Sequence, residues 1–414
     1  MLKSEAAVIP MCLPDNEDIT YIVGDSLPAR DPGAEAPYSP TVCTFLASLS
    51  AELLRDTVAK RHPDVIAFAF WCRKSNLDRL RSQFEMTEPM IRLGLGLVFH
   101  IAPSNVPVNF AFSYVISLLA GNHNLVRVPS KKFPQVDVIC DAIKRVLAEG
   151  KHSRIAEMTK MFRYNQNDEI TAALSDCCNA RVIWGGDETI RHIRKIPTPV
   201  RAVEVAFSDR YSLCALGANG VLEADQASLQ RLAEMFYNDT YLMDQNACSS
   251  PHLVIWIGED SSIRLAQERF WESVATLVRA KYDLAPVKAI DKFHTICKES
   301  IELQGECNIS FNTNYLYRIE LDRLSPGIEN HRGAFGCFYE YLSEDLECLV
   351  PIINNRFQTL TYFGLDIDQF KSFISNRRPG GVDRIVPIGS SLDIGVFWDG
   401  YDLIRTLSRV IEVN

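Results

Sequence analysis

The stretch from Leu95 to Pro129 limits the possible folds more than any other part of the chain. LGLVFHIA, beginning at Leu95, is a short continuous apolar run, the pattern of a strand buried on both faces. VNFAFSYVISLLAG, from Val108, is too long for such a strand and reads as an apolar helix stopped at Gly121. NLVRVP, from Asn124, is the next strand. Strands joined through a helix run parallel, because a tight hairpin joins only antiparallel neighbours. PQVDVICDAIKRVLAEG, from Pro134, adds an amphipathic helix with proline at its start, where a missing N–H costs nothing. Parallel α/β architecture follows.

The same alternation recurs downstream. The strand ARVIWGG at Ala180 leads into DETIRHIRK, where Asp187 is placed to cap a helix, and RAVEVAF and YSLCAL are the next strands. Beyond Glu223 come a helix to about Asp239, a loop containing Cys248, the strand HLVIWIG and a long helix from Ser261 to Tyr282. A chain of 414 residues exceeds the size at which one core stops growing, so two α/β domains are expected, with a boundary near residue 207. The first 90 residues mix prolines (Pro28, Pro32, Pro37, Pro40) with helical patterns around 42–59 and 74–84, the layout of a capping segment. The strands NYLYRIEL and IINNRFQTLTYFG and the loop RRPGGVDRIVPIG precede a terminal helix. The expected organisation is a cap over 1–90, a first domain over 91–207 completed by 386–414, and a second domain over 208–385.

Composition narrows the function classes. A net charge of -9 argues against unspecific binding along nucleic acid, while leaving room for a local basic pocket. No run of about 18 apolar residues suggests a membrane span. The first residues carry acids and prolines and lack an apolar core of about 7 to 15 residues, so no secretory leader is expected. The twelve cysteines then belong in a reducing cytoplasm. They form no C-x-x-C pair, Cys177 and Cys178 are too close for ordinary disulfide geometry, and the histidines stand singly, so no metal site is expected.

Chemistry concentrates in a few loops. Cys248 lies in YLMDQNACSSPHLVIW, a polar run of small residues between a helix and an apolar strand, whereas most free cysteines are small buried hydrophobes. Asn105, in FHIAPSNVPVNF, sits between Pro103 and Pro107, which stiffen the loop after a buried strand; by itself it is an ordinary turn former. Gly185 and Gly186 follow a strand and open a helix, where missing side chains let a ligand approach amide donors. The Gly94 to Gly96 pattern precedes its strand and reads as a turn. His100, within an apolar strand, reads as a satisfied core histidine.

Taken together, GLVFHIAPSNVPVNF, SLLAGNHNLVRVPSKKFPQ, IWGGDE, FSDRYSL and LMDQNACSSP, in order across about residues 92 to 254, resemble the aldehyde dehydrogenase superfamily. The likeness is closer to its branch of long-chain acyl-CoA reductases from bacterial luminescence systems. The resemblance implies an aldehyde dehydrogenase-like α/β fold: two Rossmann-like three-layer domains with a cofactor cleft between them. The cap and the 91–207 domain would then serve a cofactor, and the 208–385 domain would carry the nucleophile.

By that resemblance Cys248 takes the place of the catalytic cysteine, and Asn105 that of the asparagine whose amide lines the oxyanion hole. The chemistry agrees, since a thioester exchanges readily with a soft thiolate and its developing oxyanion needs fixed donors. Where NAD-linked relatives resemble K-P-S-E, this chain has V-P-S-K. Lys131 replaces the acid that grips ribose hydroxyls, Val128 replaces the usual lysine, and Arg127 compensates nearby, so NADPH is expected over NADH. Pro103, Arg127, Ser130, Lys131, Gly185 and Gly186 form the expected cofactor-binding set. Glu204 falls where relatives resemble E-L-G-G and is the candidate for catalytic proton transfer, although Val205-Ala206-Phe207 departs from that pattern. His252 flanks the site and is withheld from the catalytic set.

The implied reaction takes an acyl-CoA or acyl-adenylate to its aldehyde through an acyl-cysteine. Implied partners are an acyl-protein synthetase and further copies of this chain. A reductase of another activated acyl group, such as an acyl phosphate, would use the same nucleophile. A scaffold that kept the fold without turnover would share the architecture.

Overall fold

A computed structural model describes residues 18–25, 33–87, 90–103, 106–303 and 305–413. These divide into two compact units, one running to Ser208 and resumed at Tyr401, the other spanning Asp209–Gly400. Of the stretch expected to complete the first domain, residues 401–413 lie with the first unit and residues 386–400 with the second.

The first unit contains, in chain order, β1 (Thr20–Val23), α1 (Pro40–Arg55), α2 (Pro63–Trp71), α3 (Lys74–Thr87), β2 (Ile91–Gly94), β3 (Leu97–Ile101), α4 (Asn109–Leu119), β4 (His123–Arg127) and α5 (Pro134–Ala148). It continues with α6 (Ser153–Glu157), β5 (Thr159–Arg163), α7 (Asp168–Asp176), β6 (Ala180–Trp184), α8 (Asp187–Arg194) and β7 (Val203–Phe207). Its sheet has the order β1-β5-β4-β3-β6-β7, parallel except for β1. The chain winds outward from β3 through β4 and β5, then returns to its other side as β6 and β7. This is a doubly wound sheet with its switch point between β3 and β6.

Local chemistry explains the elements. All five residues of β3 and of β6 are buried, the signature of strands covered on both faces. Helix α4 is buried along Phe110–Leu119, which accounts for its apolar sequence on every face. It ends before Gly121, whose φ of 94° and contact with the Glu35 carbonyl leave no room for a side chain. Gly186, in extended backbone, is the N-cap of α8; Asp187 is the first helical residue and not the cap the sequence suggested. The chain also ends differently from expectation. The last helix is the single turn Leu403–Thr406, and the strand Ser408–Ile411 then pairs antiparallel with β2. Arg92 on β2 secures that pairing through the Ser408 hydroxyl and the Arg405 and Ser408 carbonyls.

The second unit contains β8 (Tyr211–Gly217), α9 (Ala218–Glu223), α10 (Gln226–Asp239), β9 (Pro251–Ile257), α11 (Asp260–Lys281), α12 (Pro286–Glu302) and β10 (Cys307–Thr313). It closes with β11 (Leu316–Leu321), β12 (Cys337–Ser343), β13 (Phe357–Phe363), α13 (Ile367–Arg377) and β14 (Arg384–Pro387). Seven strands run in the order β10-β11-β12-β9-β8-β13-β14, parallel except for β10. Alternate residues feed two cores. Tyr211, Leu213, Leu253 and Ile255 pack on one face, and Cys214, Leu216, Val254 and Trp256 on the other. A sheet buried on both sides needs near-continuous apolar strands, which YSLCAL and HLVIWIG supply.

Candidate active site

Cys248 lies in the loop between α10 and β9, at the amino edge of the parallel strands of the second unit. The loop begins at the C-terminus of α10, turns through Asp244 and Gln245 in left-handed backbone, and closes with Ser250 N–H donating to the Ala247 carbonyl at 2.9 Å. The Ser212 hydroxyl donates to the Cys248 carbonyl at 2.7 Å and accepts the Thr359 N–H at 3.2 Å, fixing the Cys248 backbone to β8 and β13. Cys248 as a residue is partly exposed, and its thiol lies in largely buried surroundings. Burial pushes its pKa up; the Arg210 main-chain N–H and the Arg332 guanidinium pull it back, while Asp209 and Asp399 oppose them.

The surrounding charges are held in place. The Arg210 guanidinium pairs with Asp383 and, at 2.8 Å, with Asp399. Arg332 pairs with Asp209 at 2.9 Å and lies over the Tyr211 ring, which stacks on His252. His252 Nδ1–H donates to the Gly333 carbonyl, and burial lowers its pKa to about 3. A neutral, buried imidazole committed to a carbonyl is a structural group.

The cofactor candidates lie at the carboxyl edge of the first unit's sheet. Pro103 follows β3, Arg127 ends β4 with Ser130 and Lys131 just beyond, and Gly185 and Gly186 follow β6. They therefore gather around the switch point of a doubly wound sheet, where ligands of such folds bind. Arg127 lies over the Tyr164 ring, 4.4 Å from its centroid, and Lys131 is exposed, 5.1 Å from the Phe133 ring. A Cβ on Gly186 would meet nothing within 4 Å, so the space before α8 is open, whereas one on Gly185 would touch Thr189 at 3.1 Å. Tyr164 and Arg163 at the end of β5 also border this edge, and Arg163 secures the Pro129 carbonyl. Sequence reasoning passed over both; the only cue was an Arg-Tyr pair ending the short strand TKMFR.

Glu204, on β7, faces two guanidiniums. It pairs with buried Arg181 at 2.6 Å and with Arg194 at 2.7 Å. Burial tends to raise its pKa, and the two arginines overcome that and hold it below the usual carboxylate range. His100 is fully buried between the Ser113 hydroxyl at 2.8 Å and the Asn124 amide oxygen at 3.0 Å, with its pKa lowered to about 4 by burial. Asn105 lies outside the described residues. Among the described residues, Glu299, Glu302 and His331 bring three potential ligand atoms within 4.8 Å of one another. They are engaged otherwise, His331 with Glu299 at 2.6 Å and Glu302 with Lys298. No helix of the described residues is long and apolar enough to cross a membrane.

Comparison with known proteins adds the family. Residues 34–410 match the sequence model of a family described as acyl-CoA reductase (LuxC). Comparison with curated proteins gives no match. Among solved structures, the chain resembles a Sinorhizobium meliloti protein assigned as a methylmalonate-semialdehyde dehydrogenase and complexed with NAD (15% identity, 89% of this chain and 82% of that one, TM-score 0.58). It resembles Thermus thermophilus 1-pyrroline-5-carboxylate dehydrogenase at 14% identity, over 90% of this chain and 81% of that one (TM-score 0.58). A NAD-dependent benzaldehyde dehydrogenase from Corynebacterium glutamicum gives 12% identity, over 92% and 86% (TM-score 0.55). These likenesses show the aldehyde dehydrogenase fold, as the two doubly wound sheets lead one to expect.

Proposed function

Because the chain belongs to the acyl-CoA reductase (LuxC) family, we propose that it reduces a fatty acyl thioester to the aldehyde with NADPH, through an acyl group carried on Cys248. The observation that carries this reading is the nucleophile loop: a thiol on a partly exposed loop residue, facing a main-chain N–H, on a backbone tethered by Ser212. Cys248 thiolate adds to the thioester carbonyl, a new C–S bond forms, and the donor thiol leaves with a proton. The Cys248 N–H is a donor for the oxyanion, worth about 3 kcal/mol in the barrier, and the family resemblance adds the Asn105 amide as a second. A reduced nicotinamide nucleotide, held by Pro103, Arg127, Ser130, Lys131, Gly185 and Gly186, would supply hydride for the acyl carbon. The resulting thiohemiacetal collapses by breaking its C–S bond, which returns the Cys248 thiolate and frees the aldehyde.

The residues at the switch point fit such a nucleotide. Pro103, Ser130, Gly185 and Gly186 offer close backbone approach, and the open space beside Gly186 suits a ribose, since Asp187 and Glu188 in the first turn of α8 would repel a phosphate. Arg127 and Lys131 supply the positive charge that a 2′-phosphate attracts. Glu204 enters this reading as an ion-pair anchor for Arg181 and Arg194, because a carboxylate held below its usual range is a weak base. The same reading includes a cytoplasmic setting, an acyl-protein synthetase as acyl source, and a homo-oligomer.

The test is direct. Purified protein is given acyl-CoA substrates from acetyl to stearoyl with NADPH or NADH, and aldehyde is measured alongside cofactor oxidation. The reading expects stoichiometric aldehyde, a preference for long chains, and a higher kcat/KM with NADPH. Aldehyde formed from acyl phosphates but from no thioester would overturn it.

A further inference from the structure

Two residues upstream of the nucleophile adopt backbone that L side chains avoid. Asp244 has φ of 55° and Gln245 φ of 59°, a left-handed pair costing about 1–2 kcal/mol per residue. Something must hold them there. The side chain of Gln245 is buried, and its amide makes four hydrogen bonds. Its oxygen accepts the N–H of Gly336 at 2.7 Å and of Cys337 at 3.1 Å. Its nitrogen donates to the Cys337 carbonyl at 3.1 Å and to the Pro251 carbonyl at 3.3 Å. Two acceptor sites and two N–H groups are all that an amide possesses, so Gln245 is saturated. The orientation is fixed as well, because a flipped amide would set its NH2 against two N–H donors.

These partners tie the loop to the first residues of β9 and β12. Their own positions are constrained from below. Lys292, buried on α12, donates to the Phe335 carbonyl at 2.8 Å and to the Asn314 carbonyl, and Phe335 N–H in turn donates to the Asp244 carbonyl at 3.3 Å. At Gly336, with φ of 88°, a Cβ would meet the Tyr315 carbonyl at 2.4 Å, so the N–H that Gln245 accepts can be presented only by glycine. Three residues after this anchor comes Cys248, whose carbonyl is the second fixed point, held by Ser212.

We propose that Gln245 is the positioning residue of the nucleophile loop, fixing the backbone that delivers the Cys248 thiol and N–H to the acyl carbonyl. This rests on the reading of Cys248 as acyl carrier. Acyl transfer needs the thiol and the oxyanion donor in one geometry, and a displacement of about 1 Å costs roughly 100-fold in rate. Simple alkylation of the thiol has no such requirement. The two reactions therefore separate a positioning role from a merely structural one.

Gln245→Met, of similar shape without polar atoms, and Gln245→Glu, which keeps the acceptor half, are compared with wild type. Three readouts are used: acyl-CoA reduction, acyl-adduct formation, and the rate of Cys248 alkylation by iodoacetamide. The expected result is a fall of about 100-fold in kcat and in acylation rate for Gln245→Met, a smaller fall for Gln245→Glu, and alkylation and the KM for NADPH within about threefold of wild type. Folded variants that acylate as fast as wild type, or losses of acylation and alkylation in parallel, would overturn the inference. A wild-type protein that forms no adduct at Cys248 would instead sink the nucleophile reading, and this inference with it.

Discussion

In the first unit the candidate ligand-binding residues stand at the carboxyl edge of the sheet, after β3, β4 and β6; in the second, Cys248 stands at the amino edge, before β9. The helices of a parallel sheet run opposite to its strands, so helix N-termini collect at the carboxyl edge and helix C-termini at the amino edge. The first edge gathers helix N-termini, an arrangement suited to a nucleotide. At the second, the N–H and the positive charge come from the Arg210 main chain and the Arg332 guanidinium, and not from a helix N-terminus. Cys248 follows the C-terminus of α10, and its thiol is pushed up by burial and not lowered by a helix dipole. Side-chain tethers from Ser212 and Gln245 take the place of the dipole. On the proposed reading, the amino edge supplies precision of placement and the carboxyl edge supplies binding.

Substitutions can break that division, and the largest effect belongs to the thiol. Cys248→Ala should reduce aldehyde formation to background while cofactor binding, followed by NADPH fluorescence, stays unchanged; retained turnover would remove Cys248 from the chemistry. Gly186→Val should weaken NADPH binding about 20-fold with only the small fall in Tm of a poorer N-cap, since the added Cβ enters open space in the free protein. Unaltered binding would mean that the space is not a ligand site. Lys131→Glu should move the NADPH to NADH ratio of kcat/KM about tenfold toward NADH, because the new carboxylate repels a 2′-phosphate and can grip ribose hydroxyls. An unchanged ratio would place the phosphate elsewhere. Ser212→Ala, which leaves the buried Thr359 N–H without its acceptor, should cost about 1–3 kcal/mol of stability and lower kcat severalfold, with KM for NADPH unaffected.

The pH dependence sharpens the same contrast. The thiolate is the reactive form, so a thiol whose pKa is raised holds a smaller thiolate fraction at neutral pH. Alkylation of Cys248 in the free enzyme should therefore keep rising with pH beyond the ordinary cysteine midpoint of about 8.5. A midpoint below that value would show an activating partner at the amino edge and dissolve the difference between the two edges.

The residues that form strands and helices in both sheets were readable because burial on two faces demands continuous apolar runs, as in LGLVFHIA and HLVIWIG. Short and mixed elements were not. The strand Ser408–Ile411 owes its pairing to β2, more than 300 residues earlier, and no local pattern announces such a partner. At the candidate site, Cys248 and the glycine turn stood out by loop chemistry and family resemblance. Ser212 and Gln245 did not, because each acts through backbone groups that only the fold brings near. Glu204 shows the reverse: its register suggested proton transfer, whereas its surroundings are two arginines contributed from β6 and α8.

Cys248 as acyl carrier is tested most directly by the adduct it should form. Wild-type protein incubated with a long-chain acyl-CoA without NADPH, then digested and mass-analysed, should bear one acyl adduct on the peptide containing Cys248, and adding NADPH should discharge it as aldehyde. An adduct on another thiol, such as exposed Cys297, or turnover with no adduct at all, would contradict the account.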